Sequence, residues 1–312
     1  MSDTISKNDQ GFLDRYFKLK AKETNVRTEI IAGITTFVAM AYIIFVNPSI
    51  LKEAGIPVEA AVAATIWSAA LCTIAMGLFA NLPVAMAPGM GLNAFFTFYV
   101  CKTVGLNWET ALGAVFVSGL VFFVLTVTKL RQMIIDAVPM SLKSATVVGI
   151  GMFIAFVGLQ SSNLIVESPA TKITLGTFSD PKVDLALLGV LIIGALLALK
   201  IRAAMLIGIV TVTVIGMIFG VTKAPEGISD VVSFSFPGMG ETFLKMDLVG
   251  AFHYGLISII FTFTIVELFD NIGTLIGVTK AAGLVDKDGK IENCDRALMT
   301  DSVGTLLSAT MG

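Results

Sequence analysis

The sequence predicts an all-α polytopic membrane protein, and three observations carry that prediction. The first is composition: of 312 residues, 55% are hydrophobic and 14% charged, with a mean hydropathy of +0.88, whereas about a quarter of a soluble domain is charged. The second is a succession of apolar runs long enough to cross a bilayer. The third is the side on which the basic residues fall. A net charge of −2 without any basic block gives no footing for nucleic acid. Cys72, Cys101 and Cys294 lie in or beside apolar runs without paired spacing, so neither a disulfide framework nor a zinc site is indicated.

The chain opens on a polar leader, MSDTISKNDQGFLDRYFKLKAKETNVRTE. It has no short apolar core ahead of a small-residue cleavage site, so a cleavable signal peptide is not expected. Within it, GFLDRYFKLKAK suits either a short amphipathic helix on the cytoplasmic lipid surface or a solvated leader. A helix needs about 20 apolar residues to cross the hydrocarbon. On that measure nine spans are expected, at 28–47, 59–80, 88–104, 109–128, 141–160, 184–200, 203–221, 249–278 and 294–312. The third is short and follows NLPVAMAPGMG; the eighth is long enough to tilt or protrude.

With the N-terminus placed in the cytoplasm, fifteen Lys and Arg fall inside and six outside (Lys52, Lys102, Lys172, Lys182, Lys223 and Lys245), all five arginines being inside. That asymmetry follows the positive-inside rule and predicts a multi-pass protein of the cell membrane. The loops 161–183 and 222–248 are then external; NLIVESPATKITLGTF in the first has the β-branched content of a small hairpin. DKDGKIEN at 286–293 reads as a polar internal turn, too short for a calcium loop.

A repeat is expected within the spans. Shifting by 228 lays residues 35–56 over 263–284, so that Thr36 meets Thr264, Lys52 meets Lys280 and Ala54-Gly55 meets Ala282-Gly283. A further shift sets Thr65, Leu71 and Met76-Gly77 over Thr300, Leu306 and Met311-Gly312. Seven spans separate the copies, and an odd number inverts the second. Inverted repeats are typical of secondary transporters, whose sites lie at the midplane between the copies.

Two segments carry the chemistry. PVAMAPGMGLNAFF, 83–96, holds two prolines, two glycines and an asparagine between apolar stretches. Proline and glycine break helix and leave backbone groups that lipid cannot satisfy, so such a segment belongs inside protein or against a water-filled cavity. Asn93 is then expected at the start of a half-helix, where free N–H groups and a positive dipole end face the cavity. The alternative is a packing element in which Gly89 and Gly91 allow close helix approach.

The other segment is FTFTIVELFDNIGTLIGV, 261–278, whose Glu267 and Asp270 lie three residues apart and so on one helix face. Each acid costs about 2.5–3.5 kcal/mol at the bilayer centre, far more than any neighbouring apolar residue returns. Such acids face a cavity and handle substrate or protons, or else they cage a structural sodium ion. Thr274 continues the polar face, Asn271 borders it, and Gly273 and Gly277 form a small-xxx-small pair for close packing. Tyr42, the repeat counterpart of Asp270, faces the same cavity or packs between helices. His253 and Asp301 are expected near the membrane surfaces. Trp67, Trp108 and the fourteen methionines read as ordinary membrane and packing residues.

APGMGLNAFFTF, VELFDNIGTLIGV and ALMTDSVGTLLSATMG, taken in order, resemble the hypoxanthine–adenine–guanine permease branch of the nucleobase–cation symporters. The resemblance runs from about Arg27 to the last residue. It implies fourteen spans in two inverted seven-span repeats, the second incomplete here. It also implies a core (28–134 and 247–312, after a leader over 1–27) that moves against a gate (135–246). It implies that Asn93, Glu267 and Asp270 bind the purine and that the acids couple transport to protons, without saying which acid does which; Gly91, Thr274 and Tyr42 are expected beside them from their own positions. No cofactor is implied; sodium is a coupling ion that the residues leave open. A homodimer is implied without any sequence signature of its own.

The chain stops at Gly312, at the point matching Gly77. The family's second half-helix, with a further glutamate, is therefore expected to be missing, and this stretch is not expected to transport by itself. The expected function is purine uptake by proton symport through alternating access. The alternatives are an anion or other small-solute transporter of the same architecture, against which the acids speak, and an intramembrane aspartyl protease. The protease would need aspartates on two facing helices, whereas these acids share one.

Overall fold

The computed structural model describes residues 12–128, 130, 139–201, 203–224, 227, 238–253, 257–285 and 291–312. Helices dominate. A short helix α1 (Phe12–Phe17) precedes α2 (Val26–Met40), α3 (Ile43–Lys52), α4 (Val58–Ala75), α5 (Met90–Ala94) and α6 (Trp108–Val127). These are followed by α7 (Met140–Ser161), α8 (Pro181–Ala198), α9 (Ala204–Ile218), α10 (Met239–Thr242), α11 (Leu248–His253), α12 (Ile257–Ala281) and α13 (Cys294–Met311). A two-stranded antiparallel hairpin, β1 (Ile165–Ser168) and β2 (Lys172–Leu175), joins α7 to α8 with Ile165 opposite Leu175. It lies where the β-branched run is expected to form one.

Five described helical segments are long and apolar enough to cross a membrane: Val26–Lys52, Val58–Ala80, Trp108–Val127, Pro181–Ala198 and Ile257–Thr279. Shorter apolar helices run over Gly151–Ser161 and Ala204–Ile218. Phe37, Val190, Leu191 and Ile218 stand exposed on these helices, the pattern expected where lipid is the solvent. The protein is a multi-pass membrane protein.

The first and third spans are not simple α-helices. The first carries a two-residue turn at Ala41 and Tyr42, after which Phe45 N–H bonds back to the Tyr42 carbonyl at 3.1 Å. It then continues beyond the boundary expected at residue 47, through the buried Pro48 to Lys52. The third begins as one α-turn and goes on as a π-helix over Phe95–Thr103. Val104 N–H reaches the Tyr99 carbonyl five residues back at 2.8 Å. The wider turns let the Phe95 and Tyr99 rings stack 5.1 Å apart while Phe95 meets Phe263 edge-on at 5.2 Å. Of the expected eighth span, α11 and α12 are described; residues 254–256 between them, like 286–290 of the internal turn and 225, 226 and 228–237 of the external loop, lie outside the described residues.

Local chemistry sets the helix starts. Asn25 accepts from Thr28 N–H at the head of α2, and Asp180 accepts from Lys182 N–H ahead of Pro181 in α8. The described part of the leader, from Phe12 on, is tied down: Tyr16 donates to the Leu78 carbonyl at 2.9 Å, and Lys18 and Lys22 both pair with Glu292 at 3.6 Å. At the centre, α13 packs on α6 and α4, and α12 packs on α6. Small residues make this possible: a methyl group on Gly304 would come 3.0 Å from Cys72 Sγ. One apolar cluster gathers Ile56, Phe96, Val100, Ala111 and Phe263, and a second gathers Met76, Ala80, Leu82 and Ala297.

Candidate functional site

Helix α4 ends in a π-turn over Met76–Ala80, closed by Asn81 in the left-handed region at φ 52. From there to Gly89 the backbone is neither helix nor strand. Thr73 of α4 helps to satisfy it, its hydroxyl accepting from Met86 N–H at 2.9 Å and facing the Met86 carbonyl at 3.4 Å. Gly89 is the extended residue that starts α5, and Asn93 N–H closes the first turn onto the Gly89 carbonyl at 3.0 Å. Asn93 therefore stands at the end of the first turn, with the unbonded N–H groups of that turn just before it.

The carboxylates of α12 come up against this broken span. A Cβ on Gly89 would lie 3.4 Å from Asp270 Oδ2. Thr274 follows Asp270 one turn on along α12 and lines the same space. Glu267 is only 4% exposed and receives a hydrogen bond from the Thr305 hydroxyl of α13. Just below it Ser118 of α6 and Thr264 share a hydrogen bond of 3.0 Å. On the other side of the broken span, Asn93 Nδ2 donates to Asn47 Oδ1 of α3, and Asn47 Nδ2 donates to Thr65 Oγ1 of α4 at 2.8 Å.

Asn47, Thr65, Gly89, Ser118 and Thr305 border one cavity of about 840 Å³, inside the roughly 300–1,000 Å³ range of small-molecule sites. Tyr42, Asn93, Glu267, Asp270 and Thr274 all line it. Gly91 does not: it is buried within α5, and the glycine at the cavity wall is Gly89. Asp301, expected at a membrane surface, lines the cavity from α13, one turn before Thr305. The side chain of His253 lies outside the described residues. Asn47 and Thr305 also line the cavity, without having been expected there. The signal for Asn47 was present, an amide inside the apolar run IIFVNPSIL. Thr305 carried none, because a lone threonine satisfies itself on its own helix backbone.

A mostly apolar chamber with two acids, an amide and several hydroxyls can hold a small, flat, neutral ligand that alternates donors and acceptors. Comparison with known proteins decides the family: residues 27–312 match the Permease family Xan_ur_permease. The chain belongs to that family. The adenine permease AdeP of Escherichia coli is 42% identical over 315 residues, 99% of this chain and 68% of that protein. The guanine/hypoxanthine permeases PbuO and PbuG of Bacillus subtilis are 39% identical over 302 residues and 40% over 306. Each match takes in 95% of this chain, and 68% and 69% of those proteins respectively. The resemblance read from the three motifs is thereby upheld, and this permease stands with the purine branch of the nucleobase permeases. It is a transporter and not an enzyme, which removes the aspartyl protease alternative.

Proposed function

We propose that this permease imports purine nucleobases (adenine, guanine or hypoxanthine) across the cell membrane by proton symport. The observation that carries the reading is the convergence of Asn93, Glu267 and Asp270 on one cavity, in a chain 39–42% identical to proteins named for adenine and for guanine and hypoxanthine. A purine edge alternates N–H donors with ring-nitrogen and carbonyl acceptors. Asn93 brings a carboxamide to the site, the ionised acids accept from N–H, and a protonated acid donates. A site of this kind rejects analogues that lack the matching groups, because its buried polar atoms would go unpaired.

Coupling follows from the same residues. A carboxyl that alternates between protonated and ionised forms inside a membrane carries a proton with each cycle, and Glu267 and Asp270 are the pair placed to do so. In this reading the N-terminus is cytoplasmic, and the nine spans belong to two inverted seven-span repeats. The core of residues 28–134 and 247–312 rocks against the gate of residues 135–246 to expose the cavity to each side in turn. Tyr42 and Thr274 shape the purine's surroundings, and two copies associate as a dimer.

The test is uptake of radiolabelled adenine, guanine and hypoxanthine by cells that lack their own purine permeases and express the complete gene. Saturable uptake that Asp270→Ala abolishes is expected. Uptake of an anion instead, or none of any purine, would overturn the assignment. Reconstitution with an imposed pH gradient and, separately, a sodium gradient identifies the coupling ion.

A further inference from the structure

The carboxamide of Asn93 is held at one end, and the bonds behind it dictate which end is held. Thr65 Oγ1 has a single proton, and it goes to the Ala61 carbonyl 2.6 Å away, one turn back on α4. Toward Asn47 the hydroxyl can therefore only accept. That fixes the Asn47 amide with Nδ2 on Thr65 at 2.8 Å and Oδ1 on the opposite side. A carbonyl oxygen needs a donor, so Asn93 turns Nδ2 toward it. The Asn93 oxygen is then left on the side away from Asn47. Asn47 is 3% exposed and Thr65 2% exposed, so bulk water does not replace either partner. The three residues sit on α3, α4 and α5, and the chain of bonds crosses three separate elements.

We propose that Asn47 and Thr65 are positioning residues that set which end of the Asn93 amide meets the ligand. They thereby set the permease's discrimination between nucleobases whose edges exchange a donor for an acceptor. Adenine and hypoxanthine are such a pair: at ring position 1 one carries a bare nitrogen and the other N–H, and at position 6 one carries NH₂ and the other a carbonyl. An amide locked in one orientation matches one pattern; an amide free to turn over matches both. The proposal rests on the nucleobase reading above.

The experiment measures binding of radiolabelled adenine and hypoxanthine to the purified permease in lipid nanodiscs. The wild type is expected to prefer one base by tenfold or more. Thr65→Val, nearly isosteric, and Asn47→Leu are expected to bring that ratio within about threefold of unity, while Thr65→Ser keeps it. Equal loss of affinity for both bases in Thr65→Val would overturn the proposal, since a purely structural role weakens both alike. So would a wild-type ratio near one, or a Thr65→Ser protein that behaves as Thr65→Val. Failure of the wild type to bind either base would instead remove the nucleobase reading and the proposal with it.

Discussion

Gly89 brings the unwound segment against Asp270: a methyl group added to Gly89 would sit 3.4 Å from Oδ2 of that carboxylate and 3.8 Å from Leu92 Cδ1. Glycine here serves close approach rather than an unusual backbone, since its φ is −71. A single methyl group at that distance makes an ordinary van der Waals contact, so Gly89→Ala is expected to fold with a melting temperature near the wild type's and to bind purine within about threefold of it. Gly89→Leu is expected to abolish binding. Equilibrium binding alongside thermal melting in detergent checks both; unaltered binding in the leucine variant would remove Asp270 from the site.

The Thr305 hydroxyl donates to Glu267 across the α12–α13 contact. Removing a donor from a buried acceptor costs about 1–3 kcal/mol. Thr305→Val is expected to destabilise the protein by that amount and Thr305→Ser by less than half of it. Chemical unfolding in mixed micelles reads the difference.

An isosteric amide keeps the shape of an acid but not its proton. Glu267→Gln and Asp270→Asn, made separately, are expected to include at least one protein that exchanges purine across the membrane yet no longer concentrates it when the outside is made acidic. Counterflow and pH-driven uptake in the same proteoliposomes separate the two activities. Normal acid-driven accumulation in both variants would end the coupling assignment.

Gly113 of α6 lies under the chain entering α11: a Cβ there would meet the Asp247 carbonyl oxygen at 2.3 Å and the Ala251 Cβ at 3.2 Å. Backbone cannot give way as a side chain can, so Gly113→Ala is expected to cost about 1–3 kcal/mol. Gly149→Ala, with open space around it, is expected to leave the melting temperature unchanged. The pair of melts compares them directly.

What the sequence disclosed, and what it withheld, follow from the range of the forces involved. Bilayer-length apolar runs are local, so α6 and α8 fall within a few residues of their expected bounds. The cost of Glu267 and Asp270 in lipid is local too, and it pointed to the cavity. Prolines and glycines at 83–91 marked the broken span for the same reason. Which glycine touches an acid is a matter of tertiary register, so Gly91 was expected where Gly89 stands. Asn47 and Asp301 join the cavity through helix rotation, and a membrane helix uniformly greasy around its circumference gives little periodicity from which to read rotation.

The π-helix over Phe95–Thr103 has one more consequence. Its nine residues turn through nearly the angle that eight would in an ordinary α-helix, about 100° per residue. Deleting one residue there would let the stretch tighten without swinging Asn93 out of phase with Val100, whereas the same deletion in α6 would rotate half of that helix by about 100°. The span beside the cavity thus carries a spare residue, and its length can vary where that of α6 cannot.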